Sequence, residues 1–469
     1  MHTIQRIIVA LLLSLLWANI HAQNIPASLD SALTHTLDSM HNAMGIKSLS
    51  AAIQFSDGEI WANAKGISAQ NVSVTPNHAY LIGSITKTIT SACVLQLVDE
   101  QVLSLEDSLY KWIDTFQYIN PHITIRQLLR HQSGIYDVLN NTNCQPALLA
   151  NTDSIWAAKD LISTFIKPAI AQPGGTWSYC NTNYFLLGMV IEAATGNPFY
   201  EEIRNRFLMP LGLNSFAIPA YENLNSPVAH VWLDITGDGI TDDAHNFYIN
   251  YLSLNSAVAA AGGYFSTPSD MCKWMRAYMS GSLLSPNSMA QAQTTIPAPG
   301  LPGSTYGLGL AKKTFAGYVG YGHGGDLAYS ANAWYFPSKD ISITVFGNDA
   351  DYNSWTLVPV IEELLKSYDT WELTASVEDI AQAKLALQVF PNPFDYQVFV
   401  EINLPENAKE LTCILSNTLG ETLATIQENH LSKGQNTFSF ENIGQFPQGF
   451  YVVRSYINGN LVQTTKLVK

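Results

Sequence analysis

The sequence predicts an α+β protein with a separate all-β region at its end. Three observations carry this. Leu29, Leu33, Leu37 and Met40 recur at helical spacing, and two strand-like stretches follow them rather than a βαβ repeat. Helical patterns then dominate from about residue 84 to about 215. Beyond residue 387 the chain changes to alternating strands separated by Asn- and Gly-bearing turns, with little helical pattern.

Taken in order, residues 1–22 read as a secretory signal. His2 and Arg6 supply a basic start, Ile7 to Trp17 form an apolar run too short to span a bilayer, and Ala22 precedes a cleavage point at Gln23. Residues 25–45 form an amphipathic helix. Leu49–Phe55 and Ile60–Ala64 are strands around the turn Ser56–Asp57–Gly58. The stretch LIGSITKTITSACVLQLVDE, Leu81 to Glu100, is a helix beginning near Ser84. It is apolar on so many sides that it belongs in a core. Pro173–Gly174–Gly175 breaks the helical region, and residues 184–195 resume a helix that Gly196 ends.

Residues 234–245 place Asp234, Thr236, Asp238, Gly239 and Asp242 as a calcium loop would. His245 stands where a bidentate carboxylate is needed, and a turn between strands uses the same residues; the turn is the preferred reading. A helix over Pro268–Tyr278 and strands over Ala331–Phe336 and Ile341–Phe346 follow, then a last helix over 354–368. The expected organisation is a signal (1–22), a main domain (23–373), a linker (374–387) and a C-terminal β-sandwich (388–469).

Composition narrows the function. The 469 residues are 47% hydrophobic and 13% charged, ample for a large core. A net charge of −15 and the lack of a Lys/Arg cluster exclude nucleic acid and anionic membranes as partners. After residue 22 no stretch is long and apolar enough for a transmembrane helix. The five cysteines show no C-x-x-C or Cys/His spacing, so no metal or other cofactor is expected. The odd count leaves at least one thiol free in a monomer. Cys144 and Cys180 are the candidate pair in an oxidising compartment.

Ser84 and Lys87 lie three apart, so a helix puts them on one face. A serine hydroxyl attacks only when a neighbour takes its proton, and a lysine can do so when burial lowers its pKa. The helix N-terminus adds free N–H groups where an oxyanion could form. The bland reading is a capping serine and a solvated lysine, and S-x-x-K recurs at Ser108 and Lys111. Tyr179 and Asn181 offer a phenol and an amide just after PGGTW, a tight turn that would hold them. Tyr-x-Asn also occurs at Tyr118, Tyr248 and Tyr456, where half-buried packing explains the ring. His323–Gly324–Gly325, in YGHGGD, is the chain's one H-x-G. Glycine there admits close backbone approach, and the histidine could donate to a substrate carbonyl or carboxylate.

The order S-x-x-K, Y-x-N, H-x-G resembles the serine β-lactamase family, and more closely the class C β-lactamase-related hydrolases and D-Ala-D-Ala peptidases. LIGSITKTIT, LLRHQSGI (Leu128 to Ile135), PGGTWSYCNTNYFLLGMVIEAATG (Pro173 to Gly196), GGYFSTPSDM and FPSKDISITVFGN carry the resemblance over about residues 25–370. It implies an all-helical lobe packed on an antiparallel sheet flanked by helices, with the site between them. It selects Ser84 as the acylated nucleophile, Lys87 as its base partner, Tyr179 as proton shuttle and Asn181 as substrate binder. It implies that the backbone N–H groups of Ser84 and Asp326 form the oxyanion hole, beside His323, Gly324 and Gly325.

True β-lactamases of this type carry lysine where His323 stands; the histidine resembles the esterase and D-aminopeptidase branches. VFPNPF (Val389 to Phe394), a TLGE turn, QGFYVVR (Gln448 to Arg454) and the basic end KLVK resemble the C-terminal sorting domain of the Bacteroidetes type IX secretion system. A β-sandwich adhesion module is the alternative for that region. The resemblance implies a secreted or cell-surface serine hydrolase that passes through the periplasm, needs no cofactor, and cleaves a small peptide or ester. Its partner would be the type IX machinery, engaged through residues 388–469. The competing class is a non-catalytic, penicillin-binding-like protein that binds cell-wall peptides.

Overall fold

A computed structural model of the chain describes residues 25–245, 252–382, 386–404, 407–417 and 421–469. The expected signal, residues 1–22, and the Tyr-x-Asn at Tyr248 lie outside the described residues. The chain divides into two compact units, one through Asp369 and one from Thr370 to Lys469.

The first unit is built on a nine-stranded antiparallel sheet. Its strands are β1 (Ser48–Gln54), β2 (Ile60–Ala69), β3 (Val72–Ser73), β4 (Ile296–Pro297), β5 (Ser304–Tyr306), β6 (Ala311–Phe315), β7 (Tyr318–Leu327), β8 (Tyr329–Phe336) and β9 (Ile341–Gly347). The spatial order is β3-β2-β1-β9-β8-β7-β6-β5-β4. The N-terminal hairpin therefore pairs with β9, which comes from almost 300 residues on, with Leu49 opposite Gly347. β8 and β9 are buried at every position, as strands covered on both faces are.

Helix α1 (Ala27–Met44) buries Leu29, Leu33 and Leu37, the stripe that predicted it, and packs on β1 and β2. Gly45 closes it in the left-handed conformation that glycine takes without strain. Three more helices, α2 (Thr86–Asp99), α3 (Thr182–Thr195) and α4 (Leu252–Gly262), pack pairwise in a helical lobe. Helix α5 (Pro268–Met279) packs on β1, β8 and β9. Thr267 caps its N-terminus and Pro268 occupies its first turn.

Two readings change and a third, the turn at residues 234–245, holds. Helix α6 runs over Val358–Gln382 and so occupies most of the segment expected to be a linker. Residues 374–382 hold no Gly or Pro and are mostly helix-tolerant, so nothing local stops the helix that begins before them. Cys144 and Cys180 do not pair; all five cysteines are free and buried, and behave as small apolar side chains. Residues 234–245 form a hairpin turn between the two-residue strands Trp232–Leu233 and Asp242–Asp243. Asp234 accepts from the N–H groups of Gly237, Asp238 and Gly239, so its carboxylate closes the turn. Among the described residues no cluster could hold a metal ion, and no helix is long and apolar enough to cross a membrane.

In the second unit, β10 (Ala386–Phe390), β11 (Val398–Leu404) and β14 (Gly434–Phe440) form one sheet. β12 (Ala408–Asn417), β13 (Thr422–Leu431), β15 (Phe450–Ile457) and β16 (Asn460–Val468) form another. Val398, Val400 and Ile402 of one sheet share a core with Leu411, Cys413, Leu415 and Val453 of the other. This is the expected sandwich, with inward positions alternating along β11 and over much of β12 and β15.

Candidate active site

A short 3₁₀ turn, Gly83–Ile85, feeds into α2, so Ser84 sits at the entry of a helix. The helix's polar stripe is buried and satisfied. Thr88 accepts from the Trp274 indole, Thr90 donates to the Ala260 carbonyl, and Ser91 donates to the Leu308 carbonyl. These bonds explain how a helix carrying four hydroxyls lies inside a core.

Lys87 is fully buried. Its Nζ is 3.0 Å from Ser84 Oγ, 2.8 Å from Asn181 Oδ1 and 2.8 Å from the Ala261 carbonyl oxygen. Burial lowers its pKa to about 7, and the charge of Asp137 opposes that fall. A neutral amine has two protons and one lone pair. The amide and carbonyl oxygens can only accept, so they take the two protons, and the lone pair is left for Ser84 Oγ. Tyr179 donates its hydroxyl to the same Oγ at 2.8 Å. Burial holds that phenol well above its usual pKa, with the neighbouring Tyr306 adding to the rise, so it is a proton donor and not a phenolate. A relay results, from the Tyr179 hydroxyl through the Ser84 hydroxyl to the Lys87 amine.

Asp137 had no sequence signal, yet it fixes this geometry. Its Oδ2 accepts from both the backbone N–H and the Nδ2 of Asn181, each at 2.9 Å, which turns the amide oxygen of Asn181 toward Lys87. The LLRHQSGI segment holds the tyrosine from the other side. His131 Nδ1 accepts from the Cys180 N–H, the His131 carbonyl from the Ser178 N–H, and the His131 ring lies 4.4 Å from the Tyr179 ring. Gly134 in that segment has φ +70°, and a Cβ on it would come within 2.2 Å of the Ala171 carbonyl oxygen.

The third motif lies on β7. β6 pairs with β7 only as far as Gly322, and β8 covers its other side, so the edge from His323 to Leu327 faces the Ser84 turn without a strand partner. Backbones meet there. A Cβ on Gly325 would lie 2.0 Å from the Ile82 carbonyl oxygen and 3.1 Å from Ser84 N; one on Gly83 would lie 3.0 Å from Asp326 N. The N–H groups of Ser84 and Asp326 thus sit on two segments in close contact.

His323 lines the cavity, but its nitrogens are engaged. Nδ1 lies against the Gly324 carbonyl, which can only accept, so Nδ1 carries the proton; Nε2 then accepts from the Tyr306 hydroxyl at 3.0 Å. Burial, with Lys87 acting in the same direction, lowers its pKa to about 3. The donation to substrate expected from this ring therefore has no free N–H behind it. The second S-x-x-K behaves as the bland reading had it: Lys111 is exposed and donates to Asp107 at 2.9 Å. A cavity of about 270 Å³ joins Ser84, Tyr179, Asn181 and His323 to Asp326, Trp334 and Trp355.

The family described as Beta-lactamase matches residues 34–355, and that described as Secretion system C-terminal sorting domain matches residues 388–469. A penicillin-binding protein of Bacillus subtilis (strain 168) is 26% identical over 230 residues, 46% of this chain and 48% of that one. The Beta-lactamase-like protein 4 of Dictyostelium discoideum is 26% identical over 263 residues, 50% of this chain and 43% of that one. The chain spans about half, or less, of the length of these curated relatives.

Among solved structures, a D-stereospecific amidohydrolase from Streptomyces sp. superposes with a TM-score of 0.62 at 28% identity, covering 71% of this chain and 98% of that one. A D-amino acid amidase from Ochrobactrum anthropi SV3 superposes at 0.64 and 23% identity, covering 74% of this chain and all of that one; it shares the fold. The sorting domain implies a secreted or cell-surface protein. The Ser84 turn, the Tyr179 segment and the glycine-rich edge of β7 all fall inside the first match, and the chain belongs to the beta-lactamase family of serine hydrolases.

Proposed function

We propose that this protein hydrolyses an amide or ester bond through an acyl-enzyme on Ser84, as a D-amino-acid peptidase, carboxypeptidase or esterase with weak or no β-lactamase activity. One observation carries the reading: a buried lysine, with two carbonyl-type acceptors already taking its protons, aims its lone pair at a serine that also accepts from a protonated tyrosine.

The substrate carbonyl would enter along the free edge of β7, its oxygen held by the N–H groups of Ser84 and Asp326. Ser84 Oγ attacks the carbon while its proton passes to Lys87. Tyr179 gives its proton to the leaving nitrogen or oxygen, and the Lys87 ammonium restores the phenol. Water then enters and the same groups run in reverse to free Ser84. Gly325 lets that edge lie close against the Ser84 turn. His323 brings no charge for a lactam carboxylate, so β-lactams should be poor substrates.

A fluorophosphonate or β-lactam probe should add one label per chain, mapped to the Ser84 hydroxyl. Ser84→Ala should abolish both label and turnover, and Ser108→Ala should change neither by more than about threefold, since nothing activates that hydroxyl. Label that survives Ser84→Ala ends the proposal. A wild-type protein that never labels but binds peptidoglycan fragments is the non-catalytic alternative.

Residues 388–469 are read as a delivery module that follows export into the periplasm by the residue 1–22 signal. Its core is separate from that of the hydrolase unit. Removing it should leave kcat/KM on a small ester unchanged and block export past the outer membrane. Loss of activity in the folded, truncated protein would refute the module reading.

A further inference from the structure

We propose that the Asp326 side chain, lying in the same cavity as Ser84 with no cation to neutralise it, selects substrates that bring a positively charged amine close to the scissile bond. This rests on the acyl-enzyme reading and adds the substrate class.

Both carboxylate oxygens of Asp326 are held by neutral donors. The backbone N–H of Ser354 donates to Oδ1, and the Ser354 hydroxyl to Oδ2 at 2.7 Å. These bonds aim the carboxylate without cancelling its charge. No lysine, arginine or histidine among the described residues pairs with it. The other charged side chain on the cavity wall, Lys313, is directed elsewhere: its Nζ donates to the Pro302 carbonyl at 3.1 Å and lies 4.7 Å from the Trp355 ring. His323 is neutral, with both nitrogens occupied. Lys87, the remaining cation candidate, is spent on Ser84, Asn181 and Ala261. Asp326 is nonetheless exposed on the cavity side, open to a ligand.

Position makes this charge consequential. The N–H of Asp326 is one of the two that would hold the oxyanion, so its carboxylate stands a few bonds from where negative charge develops. Its field is felt at the reacting groups, because it helps raise the pKa of the Tyr179 phenol. An unneutralised carboxylate there opposes the tetrahedral intermediate by like-charge repulsion. An ammonium on the substrate removes that penalty and gains a charge-assisted hydrogen bond. A free α-amine next to the acyl carbon, as in an amino-acid amide, an amino-acid ester or a peptide N-terminus, has this arrangement. An N-acylated substrate lacks it.

The test uses the full chain, wild type and Asp326→Asn, with D- and L-alanine 4-nitroanilides, their N-acetyl derivatives, a 4-nitrophenyl ester and a fluorophosphonate label. Wild type should prefer a free-amine anilide over its N-acetyl partner. Asp326→Asn should lose roughly tenfold to a hundredfold in kcat/KM on the free-amine substrate, the range for hydrogen bonds to charged groups. On the N-acetyl form the loss should be much smaller, because the backbone N–H is retained, so the preference collapses. A purely structural role for Asp326 would lower both substrates together, and that result overturns the inference. So does a wild type that labels at Ser84 and cleaves the ester but favours N-acetyl substrates or shows no preference. Absence of both label and all hydrolysis would instead overturn the acyl-enzyme reading beneath it.

Discussion

Lys87→Ala is expected to reduce kcat/KM by roughly a thousandfold, the usual range for losing a general base, while leaving the fold measurable by circular dichroism. In wild type kcat/KM should rise with pH through about 7, where burial has placed the Lys87 amine. The sign follows from the proton inventory. Below that pH the ammonium has no lone pair for Ser84; above it the amine does. The same shift acts on stability. Lys87 is charged in both folded and unfolded chains below about 7, whereas between about 7 and its ordinary 10.5 only the unfolded chain holds the extra proton. Stability from this group therefore increases with pH across that window.

His323→Ala is the matched comparison and should cost less than Lys87→Ala, because His323 bonds to Tyr306 and Gly324 and not to Ser84. A larger loss at His323, or a flat pH profile between 6 and 8 in wild type, would point to a histidine base and against Lys87.

How far the sequence disclosed all this depended on whether a feature was local. The Ser84 helix was legible because three-residue spacing and apolar flanks are local facts, and the polar stripe gave a reason to ask what satisfied it. Tyr179 was legible through the PGGTW turn, and the Gly174 N–H does bond back to the Gln132 carbonyl. The hairpin turns at Ser56–Gly58 and Pro337–Asp340 were legible for the same reason.

Asp137 was not legible. It meets Asn181 from 44 positions away, on a loop with no periodic pattern. The role of His323 changed because its partner Tyr306 comes from another strand of the sheet, and no local signal says that a histidine's second nitrogen is taken. The resemblance supplied the pairing of distant segments that spacing alone could not. It did not supply the tautomer of His323 or the isolation of the Asp326 charge, which depend on this chain's own packing.

Gly325→Ala should damage turnover severely although it adds a single methyl group to β7. The new Cβ would sit 2.0 Å from the Ile82 carbonyl oxygen and 3.1 Å from Ser84 N, and both are backbone atoms of the nucleophile turn. Neither can rotate away, so the strand and the turn must separate. That moves the Asp326 N–H away from the Ser84 N–H, and the oxyanion loses a donor, which costs roughly a hundredfold to a thousandfold in kcat. Gly324→Ala is the neighbouring control. Its Cβ would meet Ser354 Oγ at 2.8 Å and Ser354 Cβ at 2.9 Å; the hydroxyl can swing to another rotamer, and relieving the Cβ contact shifts the turn at Ser354 rather than the Ser84 turn. It should cost less, about tenfold or below, while still loosening the bond from Ser354 to Asp326. Both variants keep Ser84, Lys87 and Tyr179, so a fall confined to Gly325→Ala isolates the donor geometry from the proton relay. If Gly325→Ala stays within about threefold of wild type, or Gly324→Ala is the worse of the two, the oxyanion site does not lie between Ser84 and Asp326.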